Sequence, residues 1–300
     1  MRLSAPSASA GRRVRALLLA LCPAAMLAAC AAPPQTTARA FREPPLPYPP
    51  STRERIVRFA LTEWQDWGGY VTTPGEKHPP SKAPGPESAL ANFPRVLAYW
   101  RAVEEDRPVI DRNRDRYATA LQGAATAPWR EPAWSAAFIS WVMRSAGVDQ
   151  REFAGNAAHS FYLDAIIADA RDFPAQAPFV PHSVGDYAPA PGDLVCGDRS
   201  RRPLTDWRDR LAEIGQFRAM HCDIVVRVGP FVVEAVGGNV EDAVTMTRFP
   251  TDASGRLLPR PAGEPVLFGV IEDRIGRLPP FGAAIPIPAN PPASIGAPVS

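Results

Sequence analysis

The spacing of apolar residues changes at Pro189, and that change limits the chain to few architectures. Upstream, Ile56, Ala60, Trp64 and Trp67 recur at helical spacing behind a cap at Ser51 or Thr52, and Gly68-Gly69 ends the pattern. Residues 71 to 88, rich in Pro, Gly, Lys and His, read as a loop, and a second helical stretch follows through Leu90, Leu97 and Trp100 despite Pro94. A third, mostly buried helix begins close to Ser135 behind Pro132 and is capped by Gly147. A fourth runs from about Asn156 to Ala170 on Phe161, Leu163, Ile166 and Ile167. Downstream, Pro191-Gly192-Asp193 feeds a short strand through Val195 and Cys196. The arms His221–Val228 and Phe231–Val236 flank Gly229-Pro230 as a hairpin, and Val266–Ile271 adds another strand. Helices first and an antiparallel sheet second predict an α+β domain, not a doubly wound parallel sheet.

The prolines mark where that domain stops. Of 36, seven fall in residues 31–50 and seven in 278–300, so both ends are too proline-rich to join a core. Ahead of the first cluster, Arg12, Arg13 and Arg15 precede an apolar run from Ala16 to Ala29, too short for a membrane span and suited to a secretory signal. Its end, Leu27-Ala28-Ala29-Cys30, resembles the bacterial lipobox, which implies acylation of Cys30 as the mature N-terminus. Cys22, behind bulky Leu21, fits that pattern less well, and the residues around Arg12-Arg13 match a twin-arginine signal poorly. Ala31 is not the Asp that retains lipoproteins at the inner membrane, so the expected location is the periplasmic side of the outer membrane of a Gram-negative bacterium. The expected layout is a signal peptide at 1–29, a Pro-rich tether at 30–50, the domain at 51–272 and a Pro-rich tail at 273–300.

The formal charge of +2 comes from the leader, whose first 29 residues hold four arginines and no acid; without them 29 basic residues face 31 acidic ones. Nothing in that balance implies a nucleic-acid surface.

Four motifs in order, PAWSAAFISWVMRSAG, PGDLV, HCDIVVRV and VEAVGGNVEDAV, resemble the CHAP and NlpC-type amidases and peptidases, which share a papain-like fold. The likeness spans roughly residues 51–272 and looks closest to an uncharacterised bacterial lipoprotein branch, domain of unknown function 2272. It implies N-terminal helices packed on an antiparallel sheet, no cofactor, and a nucleophile at the start of the tryptophan-rich helix. Relatives carry cysteine there, whereas this chain carries Ser135. A cysteine works as a thiolate beside an imidazolium; a serine hydroxyl does not ionise that way and needs a true general base. His221 matches the family histidine, and strand alternation would set it beside Asp223 and opposite to Cys222. Asn239 matches the polar residue that orients the imidazole, and Glu234 could replace the acid that relatives carry where this chain has Gly237.

His159 and Trp134 are candidate substrate contacts; the plainer alternatives are a polar residue in a first helical turn and a core aromatic. Cys196 and Cys222 sit on strands that pair in the resembling fold, and the reading favours two buried free thiols over a bridge. A metal site from Asp193, Cys196, His221 and Cys222 lacks paired-ligand spacing. The charge cluster Arg199–Arg210 reads as a solvated excursion between strands, or a flap.

Two functions follow as expectations. One is a lipid-anchored amidase acting on peptidoglycan or an envelope peptide, with Ser135, His221 and Asn239 or Glu234. The other is a catalytically inactive module binding the same partners. The lipid anchor is testable by itself: the mature protein should partition into detergent and incorporate radiolabelled fatty acid, and Cys30→Ser should abolish both. Retention of both by the variant would exclude Cys30 as the anchor.

Overall fold

The computed structural model describes residues 43–76, 86–103, 107–124, 129 and 131–277, which fall within one compact unit. The leader, Cys30, most of the tether and the tail from 278 lie outside the described residues. The elements are α1 (Ser51–Asp66), β1 (Tyr70–Thr72), α2 (Phe93–Arg101), α3 (Arg107–Leu121), α4 (Ser135–Ser145) and α5 (His159–Asp172). They are followed by β2 (Phe179–His182), β3 (Leu194–Asp198), β4 (Met220–Gly229), β5 (Val232–Val240), β6 (Ala243–Pro250) and β7 (Val266–Asp273). The domain is α+β, with helices ahead of most of the sheet. The seven strands lie in the order β1-β6-β5-β4-β3-β7-β2, antiparallel except for the β1–β6 pair. Among the described residues no helix is long and apolar enough to cross a membrane.

Both faces of the sheet are covered, which explains why its central strands are so uniformly apolar. Leu194, Cys196, Cys222, Ile224 and Val236 pack with the helices, among them Phe138, Ile139 and Val142 of α4. The alternate residues Val195, Val225, Val233, Ala235 and Val270 form a second, smaller cluster with Phe249 and Leu257. His221 and Asp223 belong to this alternate set, whereas Met220 and Cys222 face the helices.

The helix ends differ from expectation in detail. Pro50 occupies the cap of α1 and Ser51 already lies in its first turn, so neither Ser51 nor Thr52 is the cap. Pro94 sits in the first turn of α2, where its missing N–H costs nothing, and Leu90 lies outside that helix. Gly147 has φ +86° just past α4, as a terminating glycine should. The loop expected at 71–88 contains most of β1 and a 3₁₀ turn, Pro86–Ser88, separated by residues that are not described.

Four expectations are corrected. The excursion between β3 and β4 is not simply solvated. It contains a 3₁₀ segment, Trp207–Glu213, whose Arg210 is fully buried and donates two hydrogen bonds to Asp164 of α5 at 2.7 and 2.9 Å. Cys196 and Cys222 are not free thiols but a disulfide, their strands being paired at that register with Cα atoms 4.2 Å apart. Joining residues 26 apart restricts the unfolded chain by an amount worth about 3–4 kcal/mol on a loop-entropy account. Finally, residues 43–50 run along the domain instead of standing off it. Leu46 N–H donates to Glu152, the Asp149 N–H donates to the Tyr48 hydroxyl, and Arg151 pairs with Glu43. At the other end Ile275 is core, so the domain continues past 272.

The start of α1 is fastened to the sheet through a buried charge cluster. Arg53 donates to Asp193 at 2.8 Å and lies 3.8 Å from Asp273, and both carboxylates are inaccessible to solvent. Tyr187 and two backbone N–H groups, of Ala190 and Asp273, also donate to Asp193. Burial pushes the Asp273 carboxyl up to about 7 and raises Asp193 as well, while Arg53 opposes both shifts. A carboxyl raised in the folded state favours folding below its unfolded value and loses that contribution as pH rises through 7. Arg53 is the arginine whose side chain faces both carboxylates, so Arg53→Met leaves them without that compensation and should cost about 3–5 kcal/mol at pH 8 and distinctly less at pH 5. Denaturant titrations at the two pH values test this, and equal losses would refute it.

Candidate functional site

Trp134 caps α4, and Ser135 is its first residue. No side chain caps that end, which leaves first-turn N–H groups and the positive end of the helix dipole beside the Ser135 hydroxyl. The hydroxyl is 2.7 Å from Nε2 of His159, the first residue of α5. The other ring nitrogen, Nδ1, is 2.5 Å from the Tyr162 hydroxyl one turn further on. When Ser135 donates to Nε2, the Nδ1–H donates to Tyr162, so one tautomer satisfies both contacts. His159 is buried and held well below the usual imidazole range, first by desolvation and then by His221 and Arg199. It is therefore neutral at pH 7 and fit to accept a proton.

His221 lies close by but in a different arrangement. Its ring centroid is 5.5 Å from that of His159, and its Nε2 contacts Asp223 Oδ1 at 2.9 Å. The neighbour relation between His221 and Asp223 agrees with strand alternation. The structure brings Ser135 to His159 and not to His221, because His221 is on the strand positions that face away from α4. Glycine at 237 also has a physical reason. A Cβ there would come within 1.8 Å of Asp223 Oδ1 and 2.7 Å of His221 Nε2, so Asp223 fills the space that a side chain on β5 would take.

The remaining candidates are held elsewhere. Asn239 has φ +58° and donates to Glu87 Oε2, which also accepts from the Trp134 indole. Burial raises the Glu87 carboxyl to about 7. Glu234 is paired with Arg227 and Arg248. Neither Asn239 nor Glu234 hydrogen-bonds His221 among the described contacts. Trp134, expected as a substrate contact, is corrected: it is wholly buried, stacked on Trp67 at 5.1 Å, and offers no surface to a ligand. His159 lines a pocket and is the serine's partner. Sequence reasoning missed Tyr162 and Glu87; only Tyr162, three residues after His159, gave a local signal.

Two pockets meet at the site. One, of about 710 Å³, is lined by Ser135, His159, Asn156, Phe161, Phe217, Met220 and the arginines 199 and 218, among others. The second, of about 330 Å³, lies over His221 and Asp223 and is bordered by Thr72, Glu76, Glu241, Thr247 and Arg260. Among the described residues no group of three or more His, Cys, Asp or Glu side chains is arranged to hold a metal ion.

Fold and site together define an α+β domain that presents a helix-terminal serine to a buried neutral histidine. The chain belongs to an uncharacterised protein family conserved in bacteria, domain of unknown function 2272, whose model matches residues 87–271. No curated protein and no solved structure matches it.

The packing at residue 237 is open to test. Gly237→Ala should destabilise the domain by about 1–3 kcal/mol through overpacking and separate His221 from Asp223. Gly185→Ala, where an added Cβ meets nothing within 4 Å, should be near neutral in the same denaturant titration. Equal effects of the two changes would contradict the assigned packing.

Proposed function

We propose that this protein is a lipid-anchored cell-envelope hydrolase of the amidase and peptidase class, with Ser135 as nucleophile and His159 as its general base. The observation that carries the reading is the 2.7 Å contact between Ser135 Oγ and His159 Nε2 on the wall of an open pocket. His159 takes the hydroxyl proton as Oγ attacks the carbonyl carbon, and gives it to the leaving amine as the C–N bond breaks. Water then repeats the sequence to release the acid and regenerate the serine. First-turn N–H groups of α4 are suited to the oxyanion. Tyr162 fixes the tautomer, and His221 with Asp223 forms a second polar pair along the substrate path. The papain-like ancestry belongs to this proposal, supported by a helix-terminal Ser135 on a helix packed against the sheet that carries His221. Peptidoglycan stem peptides as substrate, and the periplasmic side of the outer membrane as location, rest on the motif resemblance and the lipobox.

One observation favours the second reading, a binding module without turnover. Among the described contacts no carboxylate touches His159, and its neighbours His221 and Arg199 oppose the imidazolium that catalysis must form.

Hydrolysis of purified muropeptides, followed by mass spectrometry, separates the two. Ser135→Ala and His159→Ala should each lower turnover by at least about 10³-fold, because serine and base act as one unit. With a base lowered from 6.5, the acid limb of the kcat/KM profile should lie below that value. If His221→Ala abolishes turnover while His159→Ala spares it, the base role passes to His221. A wild type that binds muropeptides without cleaving them, and a Ser135→Cys variant equally inert, would leave the binding module as the function.

A further inference from the structure

The wall between the two pockets carries a solvent-exposed arginine that no described residue pairs. Arg199 is the single residue that lines both. It follows the last residue of β3, and its backbone N–H is tied to Ala219 O at 2.9 Å, so the root of the side chain is fixed. Its guanidinium has no hydrogen-bond or ion-pair partner among the described residues. The neighbouring Arg218, by contrast, is satisfied by Asp198 at 2.8 Å and Glu213 at 2.6 Å. No Asp or Glu lines the Ser135 pocket.

We propose that Arg199 is the carboxylate-recognition residue of this site, and that the substrate is an acyl or peptide chain bearing a single carboxylate at the junction of the two pockets. The proposal rests on the serine–histidine reading above and specifies the substrate class for it. A guanidinium offers paired N–H donors that match a carboxylate, and the serine pocket holds no competing anion. Glu76 and Glu241 border the second pocket and repel further negative charge, so a lone carboxylate fits where a polyanion does not.

Bound there, the carboxylate does more than anchor. Arg199 is one of the charges that hold His159 low, after burial and His221. An anion on Arg199 cancels that influence and makes the imidazolium of the transition state easier to form. The substrate would supply the negative charge that His159 lacks among its protein contacts, so substrates with and without the carboxylate would differ in kcat as well as in KM.

The test uses the folded Ser135→Ala protein and N-acetylated trialanine, whose one carboxylate is its C-terminus, in two forms, free acid and carboxyl-amidated. Calorimetry should show the free acid binding about 10- to 100-fold more tightly, as loss of a charge-assisted contact implies. Adding Arg199→Met should erase the difference, and Arg199→Lys should restore part of it. NMR titration should show the His159 pKa rising in Arg199→Met, and rising in the parent protein on adding the free acid but not the amide. Equal affinity for the two forms, a preference that survives Arg199→Met, or no binding of either would overturn the proposal. Failure of the hydrolase reading is distinct: wild type would then cleave neither form while Ser135→Ala kept its preference for the acid.

Discussion

The buried ion pair between Arg210 and Asp164 sets the geometry on which the site depends. Arg210 has no solvent-accessible side-chain surface, and Asp164 lies little more than one turn beyond His159 on the same helix. The pair joins α5 to the excursion between β3 and β4, with Gly215 N–H adding a third bond to Asp164 at 2.7 Å. That excursion supplies Phe217 and Arg218 to the serine pocket, while α5 supplies His159 and Phe161. Loss of Arg210 would leave the Asp164 carboxylate buried without its cation, at about 3–5 kcal/mol. His159 and the opposite wall of its pocket are therefore held together by contacts set around Asp164.

Electrostatics at the site follow from what burial does to each group. Desolvation keeps His159 neutral, which suits a base, and raises the Tyr162 hydroxyl, which is thereby kept protonated. In the proposed reaction the same burial penalises the charged imidazole. Papain-like sites avoid this difficulty by beginning from an ion pair, an option open to sulfur and closed to oxygen. A serine at the helix start thus shifts the demand onto the histidine and its surroundings.

The class of fold was legible because the period of the apolar residues changes once and the turns at Gly192 and Gly229-Pro230 are plain. What escaped was set by tertiary context. α3 is so polar that no stripe marks it, and β1 and β2 are too short for alternation to register. Arg210 lies in a run of charges that looks solvated until Asp164, 46 residues earlier, folds onto it. At the site, Ser135 and the pairing of His221 with Asp223 could be read from motif and alternation. The partner of Ser135 could not. The family pattern drew attention to the strand histidine, whereas His159 reaches the serine only because two helix starts converge. Gly237 was visible as a departure, but its reason, the volume taken by Asp223, is a three-dimensional fact.

The disulfide between Cys196 and Cys222 changes the topology of the pocket wall as well as its stability. With the two strands joined, everything from Cys196 to Cys222 becomes a closed covalent loop, containing Arg199, Arg210, Phe217 and Arg218. A protease that cuts after exposed Arg201 would linearise this loop without detaching either half of the chain. The lining of the serine pocket is thus a macrocycle sewn onto the sheet. Damage to its outer rim would be silent on a non-reducing gel and become visible only when the bridge is opened.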